Sequence, residues 1–223
     1  SATDQGFAPD LLVYDTSQYT DFKKMFFGGN AHLTDANISF SGGNANTQFL
    51  LGTGFHHETT VFPGDFSDNR GSFNVNLHHI SQDQLLQVEF SSNYSFDQNN
   101  LAGSGVVSNG FTLPPDYPTL LDSTGKLNWN YKGIPLVNPF AYLLQKYTAK
   151  TDNLISHLKV SYQLLPGLSI KSSFGYNALN ANETLFQPLI SLDPQTNSVS
   201  RSYFGTNQFK TWIVEPQIEY QKL

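Results

Sequence analysis

Residues 153–177 (NLISHLKVSYQLLPGLSIKSSFGYN) carry the longest uninterrupted two-residue alternation in the chain, and it turns once, on a Pro-Gly pair. Leu154, Leu158, Val160, Tyr162 and Leu164 fall on one face of an extended strand, and His157, Lys159, Ser161 and Gln163 fall on the other. Leu165-Pro166-Gly167 suits a type II turn, with proline at its second position and glycine where φ must be positive. Beyond it Leu168, Ile170, Phe174 and Tyr176 alternate with Ser169, Lys171, Ser173 and Gly175. The pattern predicts a β-hairpin with its charge confined to one face. Its first strand reaches roughly 40 Å and, tilted by about 45°, still covers an apolar band of about 25 Å. The hairpin is long enough to cross a membrane.

The same period recurs on both sides of the hairpin. Ala36, Ile38 and Phe40 alternate with Asn37, Ser39 and Ser41 as far as the turn cluster Gly42-Gly43-Asn44. In the next strand Phe49, Leu51, Thr53 and Phe55 share a face, and Gln48, Leu50, Gly52, Gly54 and His56 share the other, where the glycines would leave room inside. Phe73, Val75 and Leu77 mark a third strand; Leu86, Val88, Phe90, Tyr94 and Phe96 mark a fourth, with Gln87, Glu89, Ser91, Asn93 and Ser95 opposite. The last, residues 212–220, sets Trp212, Val214, Ile218 and Tyr220 against Glu215, Gln217 and Glu219.

Between the strands lie segments without such order. Residues 1–30 read as loop with one short helical turn, and residues 58–71, 97–152 and 178–206 as connections, the second holding a short helix at 140–146 behind Pro139. Short and long connections therefore alternate, which is the rhythm of outer-membrane barrels, with tight turns at one rim and large loops at the other. A β-sandwich alternates apolar and polar positions equally well and is the reading that periodicity alone favours; the asymmetry of the loops tips the balance towards a barrel. Tyr94, Phe96, Phe174, Tyr176, Trp212 and Tyr220 near strand ends fit the interfacial aromatic girdles of a barrel. The fold expected is all-β: an antiparallel meander of about seven strands, an arc of a transmembrane β-barrel with long extracellular loops.

Composition sharpens this picture. Charged residues are 13% of the 223-residue chain, about half the share usual in soluble domains, and Asn, Gln, Ser and Thr fill the polar positions instead. A net charge of −6 and the absence of any Lys/Arg-rich run argue against nucleic acid as a partner. With no cysteine there is no thiol nucleophile, disulfide scaffold or cysteine metal site. No apolar run is long enough for a transmembrane helix, a search that barrel strands escape.

At residues 26–36 (FFGGNAHLTDA), 41–51 (SGGNANTQFLL), 60–66 (TVFPGDF), 138–143 (NPFAYL), 150–154 (KTDNL) and 212–220 (WIVEPQIEY) the wording resembles the SusC-like (SusC/RagA family) TonB-dependent receptors, in collinear order from about Tyr19 to Tyr220. The resemblance implies a plugged barrel of about 22 strands in the outer membrane of a Gram-negative bacterium. It further implies import of glycans or peptides, energised through TonB, beneath a SusD-like surface lipoprotein. Neither a plug nor a TonB box is evident, so residues 1–223 read as a partial barrel domain, starting in the first extracellular loop and ending at the inner end of about the eighth strand. Such an arc cannot transport alone. Its exposed edges and lipid-directed face predict that the isolated chain self-associates. In this frame the Pro-Gly turn lies at the short-turn rim, Lys159 and Lys171 face the lumen, and Tyr162 and Phe174 face outer-membrane lipid.

Catalytic chemistry is not indicated. Gly-x-Ser-x-Gly, His-Glu-x-x-His and phosphate-loop patterns are missing, so a transport component rather than an enzyme is expected, with no cofactor. His56-His57 and His78-His79 sit on strands, where neighbours point to opposite faces and cannot chelate together, and Asp65, Asp68 and Asp83 match no calcium loop. The long connections hold Phe111, Tyr117, Trp129, Tyr131, Tyr142, Tyr147, Phe186, Tyr203 and Phe204. Flat rings on an outer rim can stack on sugars or anchor a partner. Tyr117, Trp129, Tyr131 and Tyr203, flanked by Pro, Asn or Gly, are the candidate ligand- or partner-binding residues. The competing reading is a secreted or surface β-sandwich that binds carbohydrate through these aromatics.

Overall fold

The computed structural model describes residues 8–222. Two short helices, α1 (Pro9–Leu12) and α2 (Phe22–Phe27), precede strands β1 (Leu33–Gly43), β2 (Thr47–Thr59), β3 (Ser67–Ile80) and β4 (Leu86–Ala102). Helix α3 (Gly105–Thr112), the two-residue strands β5 (Asn130–Tyr131) and β6 (Ile134–Pro135) and helix α4 (Phe140–Leu144) occupy the long connection. Strands β7 (Lys146–Leu165), β8 (Leu168–Gln187) and β9 (Arg201–Tyr220) complete the chain. The first seven residues of the stretch read as loop lie outside the described residues; α1 and α2 supply two helical turns in the rest of it.

One antiparallel sheet contains β1-β2-β3-β4-β7-β8-β9 in that order, so every strand pairs with the next long strand in sequence. It is the expected meander, and it is open, with β1 and β9 as its edges. A sandwich needs a second sheet packed against the first; among the described residues the only other sheet is the β5-β6 pair.

Pairing fixes which side chains share a face. Phe90, Leu158, Phe174 and Val214 stand in one row across four strands, as do Val88, Val160, Ser172 and Pro216. The opposite face carries rows such as Glu89, Lys159, Ser173 and Glu215. Tyr162 and Phe174 thus share the apolar face, and Lys159 and Lys171 the polar one. At the hairpin turn Gly167 has φ 84°, the left-handed value that a type II turn demands. A Cβ there would also lie 2.4 Å from the Gln221 carbonyl oxygen, which admits only glycine.

Three expectations need correction. The strands run well past the points where their apolar alternation stops, so the connections shrink to residues 60–66, 103–145 and 188–200. Above the row of Tyr94, Leu154 and Ala178 most apolar-side positions turn polar, as in the rows of Asp152, Asn180 and Gln208 and of Gln98, Lys150, Asn182 and Thr206, and the hydrophobic period that would reveal a strand is broken. For the same reason Tyr94, Phe96, Tyr176 and Trp212 lie within strands, at the end of the apolar band instead of at the strand ends. The third concerns Gly52 and Gly54, which leave no free room: Cβ atoms would fall 2.2 Å from Asn74 Oδ1 and 2.7 Å from Asn37 Oδ1, so asparagine amides already fill that space.

The apolar band has a measurable height. From Leu168 to Ala178 the chain rises roughly 33 Å, which at about 45° tilt spans about 23 Å, the height of an outer-membrane barrel's lipid-facing belt. Aromatic residues mark both limits, Tyr162 and Tyr220 below, Tyr94, Tyr176 and Trp212 above.

Candidate functional site

Two features stand out on the polar side of the sheet and above the band. Every ion pair among the described residues lies on the polar face. His56 Nδ1 is 2.7 Å from Asp35 Oδ1, Arg70 Nε is 3.0 Å from Asp97 Oδ2 and its Nη2 is 3.4 Å from Asp68 Oδ2. Lys159 meets Glu89 at 3.7 Å, and Lys171 pairs with Glu219. These pairs are partly solvated, so each adds little stability; what they establish is a wall surface built for water. As strand geometry requires, His56 and His57 part company: His56 joins this face, whereas His57 Nδ1 contacts Asn69 Oδ1 at 2.6 Å on the other.

Second, the long connections fold into a capping module with the only buried apolar cluster of the described residues. Phe22, Phe26, Phe66, Val106, Tyr117, Leu120, Leu136 and Leu143 form it, contributed by α2, α3, α4 and the loops between them. Phe26 is fully buried, and its ring lies 4.9 Å from that of Phe140. Asp21 caps α2 by accepting from the Lys24 N–H at 2.8 Å. Asn138, within the NPFAYL motif, is buried at the centre: its amide donates to the Leu120 carbonyl at 2.5 Å and to the Asn128 carbonyl at 3.1 Å, and its oxygen accepts from the Phe140 N–H at 3.2 Å. A buried side chain that satisfies three backbone groups holds the connection in one conformation. Asp122 shapes the turn before β5, accepting from Thr124 and from the Lys126 N–H, and these hydrogen bonds hold its carboxyl below the usual carboxylate range.

The four candidate aromatics end up in different places. Tyr117 is not displayed: it is only 7% exposed, because Phe22 and Tyr14 close over its ring, and its hydroxyl donates to the Val137 carbonyl while accepting from the Val137 N–H. Tyr131 packs on the same Tyr14 ring and carries Lys132 Nζ 5.0 Å above its own centroid. Trp129 lines an apolar groove of about 660 Å³ with Leu121, Leu127, Leu143, Leu189 and Ile190. Tyr203 stands half-exposed on β9, opposite Leu185 and on the polar face of the sheet. Leu189 and Ile190 were missed as candidates; Pro188-Leu189-Ile190 in a loop, with no alternation to bury it, was the available signal.

Burial pushes the Tyr117 phenol up to about 12. The stabilisation this represents is fully present below the ordinary tyrosine value near 10 and is lost as pH rises from about 10 to about 12. Tyr117→Phe should leave the Val137 N–H and carbonyl unpaired, cost about 1–3 kcal/mol and abolish the loss of protection in residues 103–145 over that pH interval. Limited proteolysis of the capping module across the alkaline range measures it.

These two features sit on a recognisable scaffold: an open antiparallel meander like a portion of β-barrel wall, bearing a structured cap on its long-loop rim. Of three comparisons with known proteins, two point the same way. No family model matches the sequence. TonB-dependent receptor P3 of Formosa agariphila is 22% identical over 165 residues, which is 70% of this chain and 16% of that protein. Among solved structures, the RagAB peptide importer in its closed-closed and open-open states superposes with TM-scores of 0.60, and the RagAB peptide transporter with 0.59. Each is 18% identical to this chain, with 78% of this chain and 20% of the other covered. The chain therefore spans about a fifth or less of these relatives. In sequence and in fold it is similar to the SusC/RagA kind of TonB-dependent receptor, as its motifs implied.

Proposed function

We propose that the chain is a stretch of barrel wall from an outer-membrane, TonB-dependent importer of the SusC-like kind, its polar face lining the lumen and its apolar face against lipid. The observation that carries this reading is the two-faced sheet: an apolar belt of membrane height on one side, and every ion pair of the described residues on the other. The cargo is glycan or peptide, and the likeness to a peptide importer makes peptides the first to test. A SusD-like lipoprotein would cover the mouth, and TonB would act through a plug outside residues 1–223. Trp129, Tyr131 and Tyr203 are proposed to touch ligand or lid, with Tyr117 holding the cap beneath them.

The parent gene tests the reading. Its deletion should abolish TonB-dependent growth on either peptides or glycans as sole carbon source, and the intact gene should restore it. Undiminished growth on both would oppose the reading. Replacing Trp129, Tyr131 and Tyr203 by Ala in the intact importer should weaken ligand or lipoprotein binding; unchanged binding of both would remove them from the site.

The arc alone is not transport-competent in this account, because a pore needs a closed wall. The isolated 223-residue chain leaves β1 and β9 as unpaired edges beside an uncovered apolar face. It should associate with itself in detergent-free buffer, and a monodisperse monomer by sedimentation would refute that expectation.

A further inference from the structure

Charge is divided between the faces of the sheet in a way that the transport reading does not use. On the polar face both lysines have carboxylate partners, Lys159 with Glu89 and Lys171 with Glu219. On the outward face stand Lys146, Lys150 and Lys210, and none of them forms an ion pair among the described residues. The single outward carboxylate of the strands, Asp152, stands in the row of Asn180 and Gln208 between those of Lys150 and Lys210 and accepts from the Tyr94 hydroxyl at 2.8 Å, so three outward lysines face one carboxylate. The outward face is therefore net basic, although the whole chain is acid, with a net charge of −6.

The position of these lysines is as telling as their sign. Lys210 shares the row of Tyr94, Leu154 and Ala178, the last row of the apolar belt, two residues from the exposed Trp212. Lys150 lies four residues higher along the sheet, in the row of Gln98, Asn182 and Thr206. Between them, Gln208 donates to Asn180 Oδ1 at 2.8 Å and Thr206 Oγ1 to Asn182 Oδ1 at 3.3 Å. Those bonds use the asparagine oxygens and leave both amide NH₂ groups as outward donors. Cations without an ion-pair partner and amide donors thus lie at and just above the upper edge of the apolar belt, on the long-loop side, the level at which a lipid-facing belt would meet headgroups.

We propose that Lys150 and Lys210, with the amides of Asn180 and Asn182 between them, dock the phosphate groups of lipid headgroups in the outer leaflet, and that Lys146 extends the surface away from the membrane. Lys150 and Lys210 are separated by two strand spacings and by four residues of rise, roughly 16 Å in all. One phosphate cannot touch both, so the surface fits a headgroup carrying more than one phosphate, or two neighbouring lipids. Cationic groups at a membrane surface each strengthen attachment to anionic lipid by about five-fold. The proposal rests on the reading of the apolar face as lipid-facing.

The test uses the full-length protein in nanodiscs of phosphatidylcholine with equal parts of diphosphorylated lipid A and its dephosphorylated form, the retained lipid being read by native mass spectrometry. The wild type should retain the phosphorylated form several-fold over the other. Lys150→Gln/Lys210→Gln should bring that ratio close to one, and Lys159→Gln/Lys171→Gln on the other face should leave it unchanged. Equal retention by the wild type, or an undiminished preference in the outward double variant, overturns the proposal while leaving the barrel reading intact. Failure of the protein to enter nanodiscs at all overturns both.

Discussion

Replacing Leu158 by Arg should remove about 2–4 kcal/mol of barrel stability, the cost of a cation at the middle of a lipid-facing belt. Leu158 stands in the row of Phe90, Phe174 and Val214, midway between the lower limit at Tyr162 and the upper limit at Leu154. The same arginine at Ser173, one residue along β8 from Phe174, points to the polar face beside Lys159 and should change stability by no more than about 0.5 kcal/mol. The contrast isolates orientation, because the two sites are equally deep in the belt. Urea unfolding of the intact barrel in lipid vesicles measures both variants. Equal losses at Leu158 and Ser173 would mean that the two faces meet the same solvent.

Phe26→Ala should be costlier still for the cap. The ring is fully buried, touches Phe140 and Phe27, and sits in a cluster drawn from distant parts of the chain. Truncating a buried phenylalanine costs about 3–5 kcal/mol, transfer and cavity together. The cap has one small apolar cluster and no sheet of its own beyond β5-β6, so a loss of that size should loosen it as a unit. Residues 103–145 should become protease-sensitive while the strands stay protected. If the strands open in parallel with the cap, the cap is part of the wall's cooperative unit and not a separate one.

How much of this was legible in the sequence depended on the solvent each residue meets. On the proposed reading one face of the belt meets lipid and the other water, so period two is written into the residues, and the faces of Lys159, Tyr162, Lys171 and Phe174 could be read directly. Higher up, both faces meet water. Ala181, Asn182, Glu183 and Thr184 form a strand as regular as that below, but their composition resembles a loop, and the connections were drawn too long. The cap was illegible for a different reason. Tyr117 lies between Asp116 and Pro118, a setting that suggests display, and only contacts from Tyr14 and Phe22, some hundred residues earlier, bury it. The buried role of Asn138 rests on carbonyls at residues 120 and 128, which no local pattern announces.

The lysines illustrate the same limit. Lys150 and Lys210 lie far apart in sequence, Lys150 inside the connection read at 97–152 and Lys210 between the connection at 178–206 and the strand at 212–220. Pairing through β8 places them on one face and relates both to the upper edge of the belt. Only then does their lack of carboxylate partners, against the paired Lys159 and Lys171, acquire meaning.

The central claim is that the sheet is a barrel wall with lipid on one face up to a fixed height; residues 1–223 contain no cysteine, and with any cysteine elsewhere in the full-length protein first replaced by serine, single-cysteine labelling measures it directly. Single cysteines placed in turn at each position of β8 (Leu168–Gln187), in the full-length protein in native membranes, would be challenged with a charged, membrane-impermeant maleimide. The account predicts labelling with period two from Leu168 to Ala178, odd positions reacting through the lumen and even positions shielded by lipid, followed by labelling at both parities from Leu179 onward. Uniform labelling along the whole strand, or alternation that continues unchanged to Gln187, would contradict it.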